Sequence, residues 1–208
     1  MPHILRALRH RNFRLFFCGQ MLSMIGTWMH QIAAMWLVYR LSGSAAMLGL
    51  AGFAGQISML VIAPFAGILC DRWNRHRILL TTQTLSLAQS LTLATLSATG
   101  AVQVWHVIAA MLFAGFVNAF DMPARQSTFV HFVEDRADLP NAIALNSMLM
   151  NSARLIGPAI AGMVIAAFGE TVCFFLNAIS YLAILLALLS MRLKLPVRKN
   201  ATASVRHS

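Results

Sequence analysis

The sequence predicts an all-α integral membrane protein with six membrane-spanning helices. Hydrophobic residues make up 59% of the 208 residues and charged residues only 11%, against roughly 25% charged in soluble domains. Residues 41–70 contain no charged side chain, and roughly 20 apolar residues are enough for a helix to cross a hydrocarbon core of about 30 Å. The apolar runs are long, continuous and rich in Leu, Ala and Met, which argues against alternating membrane strands.

Each predicted span has its own boundary signals. The first follows a basic N-terminus and exceeds the roughly 7–15 apolar residues of a signal peptide, so it is predicted to be a retained anchor. The second is the uncharged run that ends before Asp71, and the third and fourth are separated by a turn around Gly100. The fifth contains Arg154, and the sixth follows Gly169. The predicted bounds are residues 15–39, 45–70, 78–99, 102–120, 142–168 and 171–191.

The connections divide the six helices into two sets of three. The loops on one side are very short, whereas the connection between the fourth and fifth helices carries four of the six acidic residues. Pro123 is expected to end the fourth helix, since proline restricts the residue before it, and a short surface helix is expected at residues 126–133. Two three-helix sets are typical of transport proteins that are built from inverted repeats.

The basic residues orient the helices. With six crossings, fourteen of the sixteen Lys and Arg residues fall on one side, Arg40 falls on the other, and Arg154 lies within a helix. Since short loops rich in Lys and Arg stay in the cytoplasm, both termini are predicted to be cytoplasmic in a cell (inner) membrane. Residues 1–191 then form the membrane domain and 192–208 a basic cytoplasmic tail or the start of a central loop.

The net charge of +10 matches attraction to anionic lipid headgroups. A nucleic-acid partner is disfavoured, because the basic residues are scattered over the membrane-edge turns instead of forming one basic face. The three cysteines and seven histidines show no metal-ligand spacing, so no metal and no cofactor are expected. An intramembrane serine protease would need a serine in a Gly-x-Ser-x-Gly-like turn. That motif is absent from the sequence, and the chain is not expected to be an enzyme.

The junction after the second span, GILCDRWNRHR, is the most informative motif. Asp71 at the C-terminal end of a helix opposes that helix's dipole by a few tenths to about 1 kcal/mol, so it is expected to face another helix N-terminus or an arginine. Asn74 is expected to take the left-handed position of a tight turn. The simpler alternative is a stop-transfer turn whose basic residues only set the topology.

This junction resembles the loop 2–3 motif of the major facilitator superfamily. The matching residues are Gly67, Leu69, Asp71, Arg72 and Arg75, whereas Cys70 and Asn74 depart from the motif. The segment GTWMHQIAAMWLVYRLSGSAAMLGL and the later DMPARQS resemble the enterobactin exporter-like branch of transmembrane secretion effectors. The resemblance covers the membrane part of the chain, but only the first half of a fold with about twelve helices.

The resemblance implies transport of small organic molecules by alternating access, with efflux as the expected direction. Asp71 is implied to lock the cytoplasmic gate against a helix of the second half, with support from Arg72 and Arg75, and Gly67 belongs to the same motif. A chain with six helices could be a truncated and inactive half, could pair with a separate second half, or could form a homodimer. A six-helix channel or assembly subunit is the alternative from another class.

The expected charge network between the fourth and fifth helices comprises Asp121, Pro123, Arg125 and Arg154. Asp121 and Arg125 are four residues apart and would pair on one face if the turn stays helical. The alternative to a gate function is a solvated helix end with a weak ion pair. A charge at membrane depth costs at least about 2.5–3.5 kcal/mol on insertion scales, so Arg154 is expected to face a partner or water. Simple snorkelling of its side chain is the alternative. Asp121 and Asp71 are the candidate carboxylates.

Gly157, Pro158 and Gly162 resemble the helix 5 motif of superfamily antiporters, with Ala161 as a departure. A kink there is implied to serve alternating access, and a simple packing kink is the alternative. Trp28, Gln31 and Asn118 are candidates for lining a substrate path, and packing against a neighbouring helix is the alternative for each. No acid is expected near the middle of any helix, so this half offers no evident proton carrier of its own.

Overall fold

The computed structural model describes residues 3–129, 132–133 and 135–191, with side chains from Arg6 onward except those of Asp71 and Arg136. Six long helices account for most of these residues, and the described part contains no strand, which confirms the predicted all-α class. Short 3-10 turns form at His3–Arg9 and Arg136–Asp138. The long helices are α1 (Arg11–Ser42), α2 (Ala45–Arg72), α3 (Arg75–Ala98), α4 (Val104–Phe129), α5 (Leu139–Phe168) and α6 (Glu170–Ser190). The predicted tail, residues 192–208, lies outside the described residues.

Five of the helices (α1, α2, α4, α5 and α6) are long and apolar enough to cross a membrane. The third predicted span is α3, whose 24 residues extend about 36 Å at 1.5 Å per residue but are more polar than the others. Many of its hydroxyls bond within the helix: Thr84, Thr92 and Thr95 each donate to the carbonyl four residues earlier. The backbone carbonyls of α3 therefore accept hydrogen bonds from several of its own hydroxyl groups.

Two local predictions are wrong. Pro123 does not end α4, which stays helical to Phe129, so residues 126–129 form its last turn and no separate helix begins there. An interior proline costs about 3 kcal/mol or more; this cost is offset because the following turn buries Ala124 and Phe129 and retains the Asp121–Arg125 pair. Asn74 has φ −70° and is not left-handed; it caps α3 by accepting from the backbone N–H of residues 76 and 77.

The helices pack as neighbours in a bundle. α2 packs mainly against α4, α1 lies between α5 and α6, and α3 contacts α4 and α6. α2 and α4 approach each other closely, and a Cβ added to Gly115 would lie 2.1 Å from the carbonyl oxygen of Gly55. Absence of a side chain at Gly115 therefore sets the distance between these two helices.

The two ends of the bundle differ in charge. At one end Arg40 pairs with Glu170, which joins the end of α1 to the start of α6. At the other end Arg11 donates to the carbonyl of Ser190, and the His76 ring bonds to the carbonyl of Leu188. Basic groups that bond the last carbonyls of α6 complement its dipole, and they place the start of α1, the start of α3 and the end of α6 together.

An N-terminal clamp, formed by Arg6, Arg9, His10 and Asp138, ties the start of the chain to α5 at the same end. Asp138 lies 3.1 Å from Nε of Arg6, 2.8 Å from Nε of Arg9 and 2.9 Å from Nε2 of His10. The hydrogen bond from His10, with the charges of Arg9 and Arg6, lowers the pKa of the Asp138 carboxyl against the opposing effect of its burial.

Candidate functional site

Asp121 lies inside the bundle, on α4. Its side chain accepts hydrogen bonds from Thr82 Oγ1 at 2.7 Å and Gln83 Nε2 at 2.8 Å, both on α3, and pairs with Arg125 one turn further along α4. These four residues are called the carboxylate cluster below. Asp121 is 4% exposed and sits eight residues before Phe129, about 12 Å from the end of α4. The predicted pairing of Asp121 with Arg125 is present, but the acid lies well within the helix and not in a connecting loop.

The carboxylate cluster satisfies most of its polar atoms internally. Three donors surround one carboxylate, and the Arg125 charge neutralises it, which is the arrangement that a buried ion requires. The amide oxygen of Gln83 is the exception: it is buried and has no donor among the described residues. Breaking a buried pair of this kind by removing one partner costs about 3–5 kcal/mol.

Arg125 also reaches a third helix. Its Nη1 lies 3.7 Å from the sulfur of Met24 on α1, and its side chain is 21% exposed. The guanidinium thus joins α4 to the face of α1 that carries Met24 and, one turn later, Trp28.

Arg154 lies at the middle of α5, 15 residues after Leu139 and 14 before Phe168, or about 21–22 Å from either end. Its guanidinium carbon is 5.5 Å from the centre of the Trp28 ring, a cation–π distance. The predicted partner Asp121 is instead bonded to Thr82, Gln83 and Arg125, and no carboxylate among the described side chains contacts Arg154. The side chain of the other candidate, Asp71, lies outside the described residues.

The candidate path residues lie on the exposed side of α1 and α4. Trp28 is half-buried, whereas Gln31 and Asn118 are exposed. Asn118 precedes Arg125 by seven residues, two helical turns, so both lie on one face of α4. We call this surface, formed by Trp28, Gln31, Asn118 and Arg154, the polar face.

The three kink residues behave differently from one another. α5 is helical through Pro158 from Leu139 to Phe168. A Cβ on Gly157 would lie 2.5 Å from the Cβ of Trp28, so this glycine permits the close approach of α5 to α1. Gly162 is exposed and faces no atom within 4 Å.

The residues of the predicted gate motif lie at the end of α2 and the start of α3. Arg72 is exposed, Gly67 and Arg75 are half-buried, and the Asp71 side chain is outside the described residues. Around the turn, Asn74 caps α3 and His76 bonds to α6. His76 thus ties the turn to α6, and the locking role of Asp71 stays a prediction.

Sequence reasoning missed a second polar cluster. Ser90 of α3 is fully buried and donates to the carbonyl of Phe174 at 2.9 Å, while its oxygen accepts from Asn177 at 3.2 Å. Because its hydroxyl proton is already engaged, the 3.3 Å contact with His30 Nδ1 requires His30 to be the donor. The His30 side chain thus reaches from α1 to Ser90 of α3 and the Phe174 ring of α6. The sequence signal for this cluster was the presence of polar residues, such as Ser90 and Asn177, within apolar runs. The corresponding signal for Thr82 and Gln83 was the TTQT segment.

Comparison with known proteins places the chain among transporters. The sequence matches the transmembrane secretion effector family over residues 4–205. It is 29% identical to the staphyloferrin A transporter of Staphylococcus aureus, over 84% of this chain and 44% of that protein. It is 24% identical to macrolide efflux protein A of Streptococcus pyogenes, over 74% and 39%. Multidrug efflux pump Tap of Mycolicibacterium fortuitum is 27% identical, over 78% and 41%. The chain spans less than half the length of these relatives, and no solved structure matches it.

Proposed function

The chain belongs to the transmembrane secretion effector family of major facilitator transporters, and from this premise we propose that it forms a six-helix half of an efflux transporter for small organic molecules. The relatives named for macrolide efflux and multidrug efflux favour outward transport. The mechanism that we propose is alternating access, in which two halves rock around a central binding site.

The polar face is the observation that carries this proposal. Gln31 and Asn118 are exposed on helices that are otherwise apolar, and Arg154 is exposed at the middle of α5. Exposed polar and charged groups at such depth require water or a protein partner, since hydrocarbon offers neither. A water-filled path along α1, α4 and α5 meets this requirement, whereas a purely structural bundle has no need of the exposed groups.

We further propose that α3 is the sixth span and that both termini are cytoplasmic. The self-bonded hydroxyls of α3 and the bonds from Thr82 and Gln83 to Asp121 support its place in the membrane bundle. The end that carries the N-terminal clamp is the basic one, and basic ends remain in the cytoplasm. Reaction of single cysteines with a membrane-impermeant maleimide would test this, since a cysteine at Arg9 that labels from outside contradicts it.

The cytoplasmic gate in this proposal combines two groups of residues. Asp71, with Arg72, Arg75 and Gly67, would lock against the second half, and the carboxylate cluster would hold α3 and α4 as one unit while the gate moves. Pro158 leaves the carbonyl of Arg154 without its helical donor, and with Gly157 and Gly162 it would let α5 bend.

A second six-helix half or a second copy of this chain would complete the substrate path. Membrane lipid would surround the assembled helices. The exposed Gly162 and the large exposed side chains Leu155 and Phe65, 78% and 66% exposed, support a partner surface on α5 and α2. The alternative function is a six-helix channel or assembly subunit, which the polar face would also suit.

Efflux from cells distinguishes these functions. The chain and a head-to-tail fusion of two copies are each expressed in a bacterial host without its main drug pumps, and efflux of a labelled macrolide is followed against concentration. Saturable, energy-dependent efflux that Asp71→Asn abolishes and Arg14→Gln preserves is the expected result. Efflux that rises linearly with concentration, without saturation, would indicate a channel. If neither the single chain nor the fusion of two copies exports the macrolide, two copies of this chain are not enough to form a working transporter.

A further inference from the structure

We propose that Arg154 and Trp28 form a binding subsite for the carboxylate of an amphipathic organic anion. This inference rests on the proposed function, because it assigns a substrate class to the path along the polar face. The two side chains are brought together from different helices: Gly157, one turn beyond Arg154, lets α5 approach the Cβ of Trp28 and the backbone of α1 at Ile25 and Met29.

The charge of Arg154 is the first argument. On this side of the bundle, Asp121 neutralises Arg125 within the carboxylate cluster. Arg154 has no such partner among the described carboxylates, so one positive charge remains at the middle of α5. A charge at this depth is retained in membrane proteins where it meets a counter-charge or serves a path. A transported anion supplies the counter-charge that the described side chains do not.

The geometry is the second argument. Arg154 lies within cation–π range of Trp28 at 5.5 Å. Its guanidinium N–H groups bond to none of the described side chains, so they can form a fork that matches a carboxylate in two parallel hydrogen bonds. Trp28 restricts the guanidinium in advance, which lowers the entropy lost on binding.

The surroundings are the third argument, and they favour an organic anion over an inorganic one. Met150, one turn before Arg154, is 40% exposed, and Ile32, one turn after Trp28, is 36% exposed. Gln31 and Asn118 add neutral polar groups on the same polar face. An anion with an apolar body would therefore find a charged anchor and an apolar wall side by side, the composition that is usual in ligand sites.

The test compares two probes that differ in charge but share one ring system, 2-naphthoate and 2-naphthamide. The purified chain is placed in phosphatidylcholine nanodiscs, and binding of each probe is measured by equilibrium dialysis. We expect wild type to prefer the carboxylate, and Arg154→Gln to weaken its binding roughly 10- to 100-fold, the range for a hydrogen-bonded charged group. Binding of the amide should change by less than about 2-fold, since it does not use the charge.

Matched variants separate recognition from folding. Arg14→Gln removes an exposed arginine from the first turn of α1 and should leave both affinities unchanged. Arg154→Lys keeps the charge without the planar fork and should lie between wild type and Arg154→Gln. Trp28→Leu should weaken carboxylate binding more than Trp28→Phe, because only leucine lacks an aromatic face. The thermal unfolding midpoint of each variant identifies any variant that misfolds. The probe affinities of the variants that fold then test the subsite.

Several results would overturn the inference. The inference is overturned if wild type binds naphthoate and naphthamide with equal affinity. It is also overturned if Arg154→Gln weakens the binding of both probes to the same extent. If nanodiscs that contain phosphatidylglycerol suppress naphthoate binding, the guanidinium is a lipid phosphate site and the inference is wrong. The dialysis needs neither a second half nor an energy source, so charge-selective binding without any efflux would count against the proposed function alone. Saturable efflux without charge selectivity would count against this subsite alone.

Discussion

Replacement of Asp121 by asparagine is the most direct perturbation of the carboxylate cluster. The side chain keeps its shape but loses the charge that pairs with Arg125. An amide NH2 replaces one carboxylate oxygen, and this NH2 cannot accept a hydrogen bond from Thr82, Gln83 or Arg125. Because Asp121 is 4% exposed and the Arg125 side chain 21%, little water replaces the lost bonds. We expect the free energy of unfolding to fall by about 3–5 kcal/mol, the range for breaking a buried pair.

The assay is thermal unfolding of the purified chain in nanodiscs, followed by far-ultraviolet circular dichroism. At roughly 2–4 °C per kcal/mol for a chain of this size, the midpoint should fall by roughly 6–20 °C. The matched control is Asp135→Asn, which breaks the exposed 3.0 Å pair with Arg9, whose side chains are both about half exposed. Exposed pairs contribute about 0–1 kcal/mol, so this midpoint should move by less than about 4 °C.

A double variant refines the result. Asp121→Asn with Arg125→Leu removes both charges, so it should recover most of the stability lost by the single variant, because no unpaired ion remains. The reasoning is refuted if Asp121→Asn and Asp135→Asn lower the midpoint equally, or if the double variant is as unstable as the sum of its single changes.

Three further predictions concern other parts of the bundle. Gly115→Ala should strongly destabilise the chain, since its Cβ would lie 2.1 Å from the Gly55 carbonyl oxygen, whereas Gly49→Ala, with no atom within 4 Å, should be neutral or stabilising by up to about 1 kcal/mol; unfolding midpoints that fall equally would contradict this. Asn177→Ala should lower the free energy of unfolding by about 1–2 kcal/mol, because it leaves Ser90 without its 3.2 Å donor, and Asn151→Ala on the exposed side of α5 is the control in the same chemical denaturation series. The lowered pKa of Asp138 means that the N-terminal clamp contributes stability above the unfolded-state pKa of about 4 and loses it as the pH falls further; the hydrogen-exchange protection factors of residues 6–10, corrected for the intrinsic rate at each pH, should therefore fall on acidification, and an equal fall in Asp138→Asn would argue against this origin.

The fold class followed from composition because the bilayer constrains the chain so strongly. A run such as residues 41–70, without a charged side chain, has few alternatives to a helix that buries its own backbone bonds. The same simplicity made the family recognisable, since the loop 2–3 residues and the DMPARQS segment are local in the sequence. The pairing of Asp121 with Arg125 was also predictable, because four-residue spacing on a helix brings side chains together whatever surrounds them.

Helix ends and buried polar contacts were harder to predict. Pro123 carries a local signal to stop a helix, but packing of the turn that follows outweighs that signal. Asn74 can cap a helix as well as adopt a left-handed turn, and only the approach of α3 to the bundle selects the cap. Local propensity is a weak prior that tertiary context overrides.

The sequence by itself determined that the chain is helical, membrane-embedded and a member of a transporter family, because length, hydropathy and short motifs are local properties. The tertiary structure alone decided which polar side chains of different helices meet. Asp121 of α4 bonds to Thr82 and Gln83 of α3, His30 of α1 contacts α3 and α6, and Arg154 of α5 lies over Trp28 of α1. These contacts join residues far apart in the chain, and their geometry depends on how closely glycines such as Gly115 and Gly157 let the helices approach. The sequence pattern of a single helix does not specify the distance between that helix and its neighbours.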